Sequence, residues 1–286
     1  MAYRDSDQLD GILSLVIPTS NRSAQVIDKL NWANTQPIIG QVVIIVDGHD
    51  EQTVTLIEDF SARAKFVLNY RVNEFNMGAS ASRNLGVQLV TNDFILFSDD
   101  DDFLETNFCD ALMSEMVQLN ADVVGAAWLN LDGLGYPPAH HKYHGSGPSL
   151  NNPSIIPAST VICPFLPMNF ICKTEVARLF PFSTSYLFNG YREENDFFIT
   201  LLKNNFSVFC SPKSFSYSLG RPKGGYERNG IKKRLTYETF AVVNTGTFLI
   251  KHGAWLYKNG YIRNPFVEFT LFTFNRIKNL ALHLKG

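Results

Sequence analysis

The feature that most constrains this chain is a short apolar run, Phe-Ile-Leu-Phe at residues 94–97, that ends after Ser98 in four consecutive aspartates, residues 99–102. An apolar run of this length between polar flanks predicts a buried strand. The carboxyl ends of strands in an open α/β sheet form the edge where ligands bind. Four adjacent carboxylates repel one another, so they either form a solvated acidic turn or hold a cation. Because apolar segments rather than polar linkers flank the run, we expect a hard divalent cation that also bridges phosphate oxygens.

Apolar runs of strand length recur along the chain and alternate with helical segments. Strands are predicted at residues 13–19, 42–46, 65–71, 94–97, 121–131 and 207–210. Helices are predicted at residues 24–33, 53–64, 78–90, 105–120 and 196–204, and a strand followed by a helix at 170–180. This alternation predicts an α/β fold with a mostly parallel central sheet and helices on both of its faces.

The chain of 286 residues is long enough for one large α/β domain with an extension. We predict a catalytic domain at residues 1–225, with a donor half at about 12–102 and an acceptor half at 103–225. Residues 133–167 are rich in Gly, Pro, Ser, Asn and His, which is typical of a functional loop or lid. Residues 226–286 form a basic, aromatic-rich extension with helices predicted at 231–252 and 264–284.

Charge is distributed unevenly between these parts. Residues 221–286 contain 12 Lys and Arg against 3 Asp and Glu, whereas residues 1–220 contain 13 against 24, and together they give the net charge of −2. The aromatic side chains of the extension either pack against the catalytic domain or lie on an anionic membrane surface. The first residues, MAYRDSDQLDG, contain no apolar signal core, and scattered cysteines in a chain this long suit a reducing cytosol. We therefore expect a cytoplasmic protein, either free or peripheral on the inner face of the membrane.

Several polar residues are predicted to meet at one edge of the sheet. Thr19 follows the first strand, Asp47 the second, and the aspartate run a later one. Alone, Asp47 is typical of a simple turn in Asp-Gly, but at a strand end it can also accept hydrogen bonds from a base or a ribose. The pair Glu193 and Glu194 precedes an apolar helix, where carboxylates either complement the helix dipole or act as a general base.

The order of these motifs resembles the inverting glycosyltransferases of family 2, which have the GT-A fold of nucleotide-diphospho-sugar transferases. The resemblance covers about residues 12–225. Its elements are Val-Ile-Pro-Thr at 16–19, an aspartate after the second strand at 47, the pattern Gly-x-x-x-x-Arg-Asn-x-Gly at 78–86, the acidic motif at 99–102, and Glu-Glu before a helix at 193–194. Each motif is weak alone, and the five together in this order are specific.

The resemblance implies roles for individual residues. The expected donor-binding residues are Pro18, Thr19, Asn21, Arg22, Asp47, Gly78, Arg83, Asn84, Asp99 and Asp100. Asp101, with Asp99, is expected to hold Mn²⁺ or Mg²⁺. Glu194 is expected to be the general base, with Glu193 and Asp196 as the other candidates.

Two positions depart from the family pattern. Glu194 stands where the family usually has Asp, which lengthens the side chain but keeps the carboxylate. Ser218 stands where many members have a His that helps to hold the metal. We expect weaker metal binding, or a contribution from His140, His141 or His144, which are otherwise simple loop residues.

The resemblance predicts transfer of a sugar, with inversion, from a nucleotide-diphosphate donor such as a UDP-sugar to a hydroxyl of a saccharide or lipid-linked acceptor. The pathway implied is assembly of cell-surface polysaccharide or glycolipid. A sugar-nucleotide pyrophosphorylase would need a glycine-rich phosphate loop, and residues 19–23 contain no glycine. The remaining alternative is a non-catalytic GT-A scaffold that binds nucleotide sugars. We expect no nucleic-acid partner.

Overall fold

The computed structural model describes residues 11–130, 157–218 and 230–283. Its strands are β1 (Leu13–Thr19), β2 (Ile39–Val46), β3 (Val67–Val72), β4 (Phe94–Phe97), β5 (Asp102–Leu104), β6 (Val123–Asn130), β7 (Val161–Ile162), β8 (Phe170–Lys173) and β9 (Val208–Ser218). Its helices are α1 (Ser23–Ala33), α2 (Glu51–Ser61), α3 (Ala79–Leu89), α4 (Phe108–Leu119), α5 (Thr174–Leu179), α6 (Glu193–Lys203), α7 (Ile231–Lys258) and α8 (Pro265–His283).

All of these strands belong to one nine-stranded sheet in the order β3-β2-β1-β4-β8-β6-β9-β5, with β7 paired to β9. The ladders β1–β2, β1–β4, β2–β3 and β6–β9 are parallel, and the others are antiparallel. Six strands therefore run in one direction, and β5, β7 and β8 run in the other. The predicted α/β fold with a mostly parallel central sheet is confirmed.

Both faces of the sheet are covered, because successive side chains of a strand point to opposite faces. All seven residues of β1 are buried. Leu15 belongs to the core formed with α1, α2 and α4, whereas Val16 belongs to the core formed with α3, α5 and α6. A Cβ on Gly86 of α3 would lie 2.5 Å from Cγ1 of Val16, so glycine is what allows this helix to approach the sheet so closely.

The register brings the carboxyl ends of the first strands to a common edge. Thr19 of β1 pairs with Val46 of β2, which pairs with Val72 of β3. On the other side of β1, Val16 pairs with Phe97, the last residue of β4. The residues that follow these strands, including the aspartate run, therefore lie side by side at this edge.

The segment after the aspartates differs from the prediction. A helix was expected from residue 105, but α4 begins at Phe108, because residues 102–104 form β5 and pair with β9. β9 continues to Ser218 rather than ending at residue 210. Glu105 supports this extension, since its carboxylate accepts hydrogen bonds from Phe215 N at 3.0 Å and Tyr217 Oη at 2.8 Å. These pairings join residues more than 100 positions apart, which local sequence patterns do not reveal.

The C-terminal helices pack on the rest of the protein and on each other. Phe248, Leu249 and Leu256 of α7 form a core cluster with Ile199 of α6. The predicted domain boundary at 225/226 lies outside the described residues, as do His140, His141 and His144 and most of the predicted lid. Among the helices that the structure describes, none is both long enough and apolar enough to cross a lipid bilayer.

Candidate active site

A cleft of about 660 Å³ lies at the carboxyl edge of the sheet. The predicted site residues that line it are Pro18, Thr19, Arg22, Asp47, Arg83, Asp99, Asp100, Asp101, Glu193 and Glu194. Residues 165–167 at the end of the predicted lid, the adjacent Met168, and Tyr237 of α7 form other parts of its wall. The sequence motifs of the two predicted halves thus meet in one cleft.

Asp100 is the buried member of the aspartate run. Its carboxylate accepts hydrogen bonds from Thr19 Oγ1 at 2.7 Å and from Arg22 Nη1 at 2.6 Å. Burial raises the pKa of Asp100 to about 6, and the charge of Arg22 opposes this rise. Because its two oxygens are bound by β1 and by the loop after β1, Asp100 anchors the aspartate run to that loop.

Asp99 and Asp101 are the more accessible carboxylates. Their side chains are 34% and 23% exposed, against 4% for Asp100. Arg22 Nη1 lies 2.8 Å from Asp101 Oδ2. Burial and the neighbouring charge of Asp99 raise the pKa of Asp101. Two accessible carboxylates that repel each other are suited to sharing a cation.

Asp102, the last aspartate of the run, is held by hydrogen bonds from Asn169 and Lys29. Asp102 Oδ2 accepts a hydrogen bond from Asn169 Nδ2 at 2.6 Å, and the Asp102 carbonyl accepts one from Lys29 Nζ. Lys29 also donates to Ser98 Oγ at 3.0 Å. Burial lowers the pKa of Lys29, and the four aspartates oppose this effect. The ammonium group of α1 is therefore a buried positive charge directly beneath the acidic turn.

Asp47 organises the loop that leads into α3. Its carboxylate accepts hydrogen bonds of 2.8 Å from Asn73 Nδ2, Met77 N and Gly78 N. Gly78 has a φ of +86°, a conformation that favours glycine at this start of a helix. A carboxylate has about four acceptor positions, so Asp47 can still accept a hydrogen bond from a ligand in the cleft.

Arg83 connects the aspartates to the glutamate pair. Its Nη2 donates to Asp99 Oδ1 at 2.7 Å, and its Nη1 donates to Glu193 Oε1 at 2.6 Å. Ser80 Oγ donates to the other oxygen of Glu193 at 2.7 Å. The side chain of Arg83 is only 3% exposed, so these are buried charge-assisted contacts. Both carboxylate oxygens of Glu193 are therefore engaged by α3.

Glu194 is placed differently from Glu193. It lines the cleft in the first turn of α6 and has no hydrogen-bonding partner from another side chain among the described residues. Burial and the charge of Glu193 raise the pKa of Glu194 to about 7. Arg192, just before it, has a φ of +81°, a costly conformation for a non-glycine residue that is found preferentially at functional sites.

Four predicted site residues do not line the cleft. Asp196 is bound to α7, through Lys251 Nζ and His252 Nε2 at 2.7 Å each, and to Tyr186 Oη at 2.9 Å. Although burial raises the pKa of Asp196, its hydrogen bonds from His252 and Lys251 lower it overall. Asn84 exchanges two hydrogen bonds of 2.8 Å with the main chain of Phe182. Asn21 lies exposed beside the cleft, and Gly78 contributes its N–H to Asp47.

The carboxylates of the cleft can be compared with the ligands that a hard divalent cation requires. Among the described residues there is no group of three or more His, Cys, Asp and Glu side chains arranged to hold a metal ion. Mg²⁺ and similar cations are commonly bound by one or two carboxylates together with substrate phosphates and water. Asp99 and Asp101 fit that arrangement. Ser218 pairs with Asp102 in the backbone ladder, at the position where a histidine was missing from the expected motif.

Sequence reasoning missed several residues that support the site. They are Lys29, Asn73, Ser80 and Asn169, all buried; Asn73 and Ser80 are bonded to predicted site residues, and Lys29 and Asn169 to Asp102 at the end of the aspartate run. For Lys29 a signal existed, since its position in α1 lies among Val26, Leu30 and Ala33 on the buried face. The other three are single polar residues with no local pattern.

The chain is similar to known glycosyltransferases in sequence. A model of the family described as Glycosyl transferase family 2 matches residues 14–170. An uncharacterized glycosyltransferase of Haemophilus influenzae is 31% identical over 112 residues, which are 39% of this chain and 36% of the relative. The amylovoran biosynthesis glycosyltransferase AmsB of Erwinia amylovora is 33% identical over 91 residues, which are 31% of this chain and 30% of that protein. The chain thus spans about a third of the length of these two relatives.

Solved structures share the fold over most of the chain. Staphylococcus aureus TarS residues 1–349, solved with UDP-GlcNAc, gives a TM-score of 0.55 at 17% identity, covering 94% of this chain and 80% of TarS 1–349. The mannosyltransferase PcManGT of Pyrobaculum calidifontis, solved with GDP-Man and Mn²⁺, gives a TM-score of 0.65 at 12% identity, covering 96% and 75%. These likenesses confirm the predicted GT-A fold with its C-terminal helical region.

Proposed function

The chain belongs to glycosyl transferase family 2, and we propose that it transfers a sugar from a nucleotide-diphosphate donor to an acceptor hydroxyl. The observation that carries this proposal is the arrangement of two acidic groups in one cleft. Asp99 and Asp101 lie on one side, Glu194 lies on the other, and Arg83 connects the sides through Asp99 and Glu193. A donor diphosphate and an acceptor hydroxyl need such separate groups.

The donor we propose is a UDP-sugar. Asp47 lies at the end of β2 in the cleft, where it can accept a hydrogen bond from a base or a ribose. TarS, which shares the fold, was solved with UDP and with UDP-GlcNAc. PcManGT was solved with GDP-Man, so GDP is the natural comparison in any binding experiment.

We propose that Mn²⁺ or Mg²⁺ is required and that Asp101 and Asp99 would hold it together with the donor diphosphate. When bound, the cation neutralises negative charge that develops on the leaving diphosphate. Asp100 and Arg22 orient this part of the run, since Arg22 contacts both Asp100 and Asp101. Mn²⁺ in the related PcManGT structure supports the choice of cation.

Glu194 is the general base in this proposal. Its carboxylate takes the proton of the acceptor hydroxyl while the oxygen attacks the anomeric carbon. The bond from that carbon to the diphosphate oxygen breaks, and its electron pair leaves with the nucleotide. A single displacement of this kind inverts the anomeric centre. A carboxylate whose pKa is raised to about 7 is well matched to proton transfer near neutral pH.

We propose that the acceptor belongs to the assembly of cell-surface polysaccharide or glycolipid, with residues 226–286 in peripheral contact with the membrane. AmsB, a relative in sequence, is named for amylovoran biosynthesis. The packing of α7 and α8 on the domain and their contact with a membrane were alternatives from sequence. They are compatible in the structure, because α8 buries one face and exposes another.

The test is calorimetric titration of UDP into the full chain with Mn²⁺ and, separately, with EDTA, with GDP as the comparison nucleotide. We expect tighter binding of UDP when Mn²⁺ is present, and weaker binding of GDP. Equal affinity for UDP with Mn²⁺ and with EDTA would show that the metal does not contribute to donor binding. No binding of either nucleotide would remove the proposed donor class.

A further inference from the structure

The outer face of α8 carries five large apolar side chains that are exposed to solvent. They are Phe266, Val267, Leu271, Phe274 and Ile277, with exposed fractions between 42% and 77%. Val267, Leu271, Phe274 and Ile277 are three or four residues apart, and Phe266 directly precedes Val267, so the five lie along one side of the helix. The stripe is longer than isolated exposed apolar residues would explain, so it marks an interaction surface.

The opposite face of α8 is firmly packed. Glu268 is 1% exposed and Phe272 is 3% exposed. The ring of Phe269 lies 3.3 Å from a Cβ built on Gly246 of α7. The inner side of α8 is therefore packed against the rest of the protein, whereas the outer face of α8 is exposed to solvent.

The neighbouring helix extends the same surface. Val243, Ile250 and Tyr257 of α7 are exposed, and Ile250 is 90% exposed. They lie three or four residues from Gly246 and Gly253, whose built Cβ atoms would touch α8. The apolar surface is thus shared by two antiparallel helices.

The charges around this surface are of one sign. Residues 230–283 contain two acidic residues, Glu238 and Glu268, and both are buried. The exposed charged residues of this segment are all basic, namely Lys232, Lys233, Lys251, Lys258, Arg263 and Lys278. An apolar stripe on helices whose exposed charges, within residues 230–283, are all positive complements a surface that is apolar inside and anionic outside.

We infer that the outer face of α8 docks on the surface of an anionic lipid bilayer. An amphipathic helix with basic residues lies in the interface, with its apolar side inserted among the lipids. Each exposed Lys or Arg near the anionic headgroups adds to the attraction.

The inner side of α8 is connected to the cleft by direct contacts. Arg276 of α8 donates from Nη2 to Tyr191 Oη at 2.6 Å and from Nη1 to Glu238 of α7 at 3.1 Å. Tyr191 and Tyr237 both line the cleft. Resting on the proposed function, we infer further that docking holds the cleft close to the lipid surface and that the acceptor is anchored there.

The experiment is co-sedimentation of the full chain with vesicles of phosphatidylcholine alone and of phosphatidylcholine with phosphatidylglycerol, at low and moderate salt. The test variant is Leu271→Asp with Phe274→Asp. The matched control is Val117→Asp with Leu119→Asp, two exposed apolar positions on α4. All proteins are first compared by thermal unfolding and by sedimentation velocity.

We expect the wild type and the α4 control to bind the anionic vesicles and to release them as salt rises. We expect the α8 variant to bind at least about tenfold more weakly, because it loses apolar area and adds negative charge. Equal binding by the α8 variant, or no binding by the wild type at low salt, would overturn the inference. A wild type that self-associates through this face, with the α8 variant monomeric, would assign the surface to a second copy instead.

Release of UDP from UDP-GlcNAc in the absence of vesicles separates this inference from the proposed function. We expect the α8 variant to retain that activity, since its substituted residues do not line the cleft. Vesicle binding without any nucleotide release from a donor panel would leave the docking surface standing and contradict the proposed function.

Discussion

Glu193 and Asp99 are bound to the same guanidinium group, that of Arg83, at 2.6 and 2.7 Å. Because this group is buried between them, Glu193 serves as its counter-ion. Glu194, the next residue, has no such partner among the described residues and lines the cleft. The two adjacent glutamates are therefore expected to have separable roles.

Substitution of Glu194 by Gln is expected to lower turnover by about 10²–10⁴-fold, because it removes the base and keeps the shape. Donor binding should be retained. The measurement is turnover with saturating donor, together with calorimetry of UDP binding.

The matched variant is Glu193→Gln, which leaves the positive charge of Arg83 less well compensated. We expect this variant to lose thermal stability, whereas Glu194→Gln should unfold at the wild-type temperature or above. If Glu194→Gln has normal turnover, and Glu193→Gln or Asp196→Asn is folded but inactive, then Glu194 is not the general base.

The pH dependence of turnover should report Glu194. Burial raises its pKa to about 7, and a base acts only when deprotonated, so turnover should increase with pH up to about 7 and then level off. The same shift affects stability. Glu194 favours the folded state fully below the ordinary glutamate pKa of about 4.3, and this contribution is lost as pH rises through about 7. Turnover that does not rise between about pH 5 and 8, as the titration of one carboxyl group requires, would contradict this role.

Substitution of Asp101 by Asn is expected to abolish metal-dependent turnover and to leave the fold intact. Asp101 is partly exposed and its pKa is raised by burial, so the loss of its charge should not destabilise the protein. The readout is the difference in UDP affinity between Mn²⁺ and EDTA, which should vanish. Asp110→Asn, on the exposed side of α4, is the control and should behave as the wild type. Wild-type activity in Asp101→Asn would remove Asp101 from the site.

Lys29 should matter for stability more than any exposed lysine. Substitution by Met removes its hydrogen bonds to Ser98 and to the carbonyl of Asp102 and removes the buried positive charge beside these residues. We expect the free energy of unfolding to fall by about 2–4 kcal/mol. Lys65→Met, at an exposed position, should stay within about 0.5 kcal/mol of the wild type. Urea titration measures both, and similar values for the two variants would show that Lys29 is not a support of the acidic turn.

The strands that carry the site could be predicted because their signals are local. The apolar run at residues 94–97 is β4, and the run at residues 13–19 is β1. Both are short, continuous and bounded by polar residues, and parallel pairing then places their carboxyl ends together. The same reasoning predicts that Asp47, which follows β2, and the aspartate run, which follows β4, lie at this edge of the sheet.

The parts that were missed depend on contacts between distant residues. Asn169 meets Asp102 across 67 positions, and Ser80 meets Glu193 across 113. Single polar residues of this kind have no periodicity, so nothing in the sequence marks them. Asp196 shows the reverse case, since its spacing suggested a site residue. In the structure it joins α6 to α7 through His252.

The most direct test of the proposed function is nucleotide release from a donor panel of UDP-GlcNAc, UDP-glucose, UDP-galactose and GDP-mannose, measured for the full chain with Mn²⁺ and with EDTA. We expect release from one of the UDP-sugars that requires Mn²⁺ and is lost in Asp101→Asn and in Glu194→Gln. Release that is unchanged by EDTA and by both substitutions, or no release from any donor by a folded protein that still binds UDP, would contradict metal-assisted sugar transfer at this cleft.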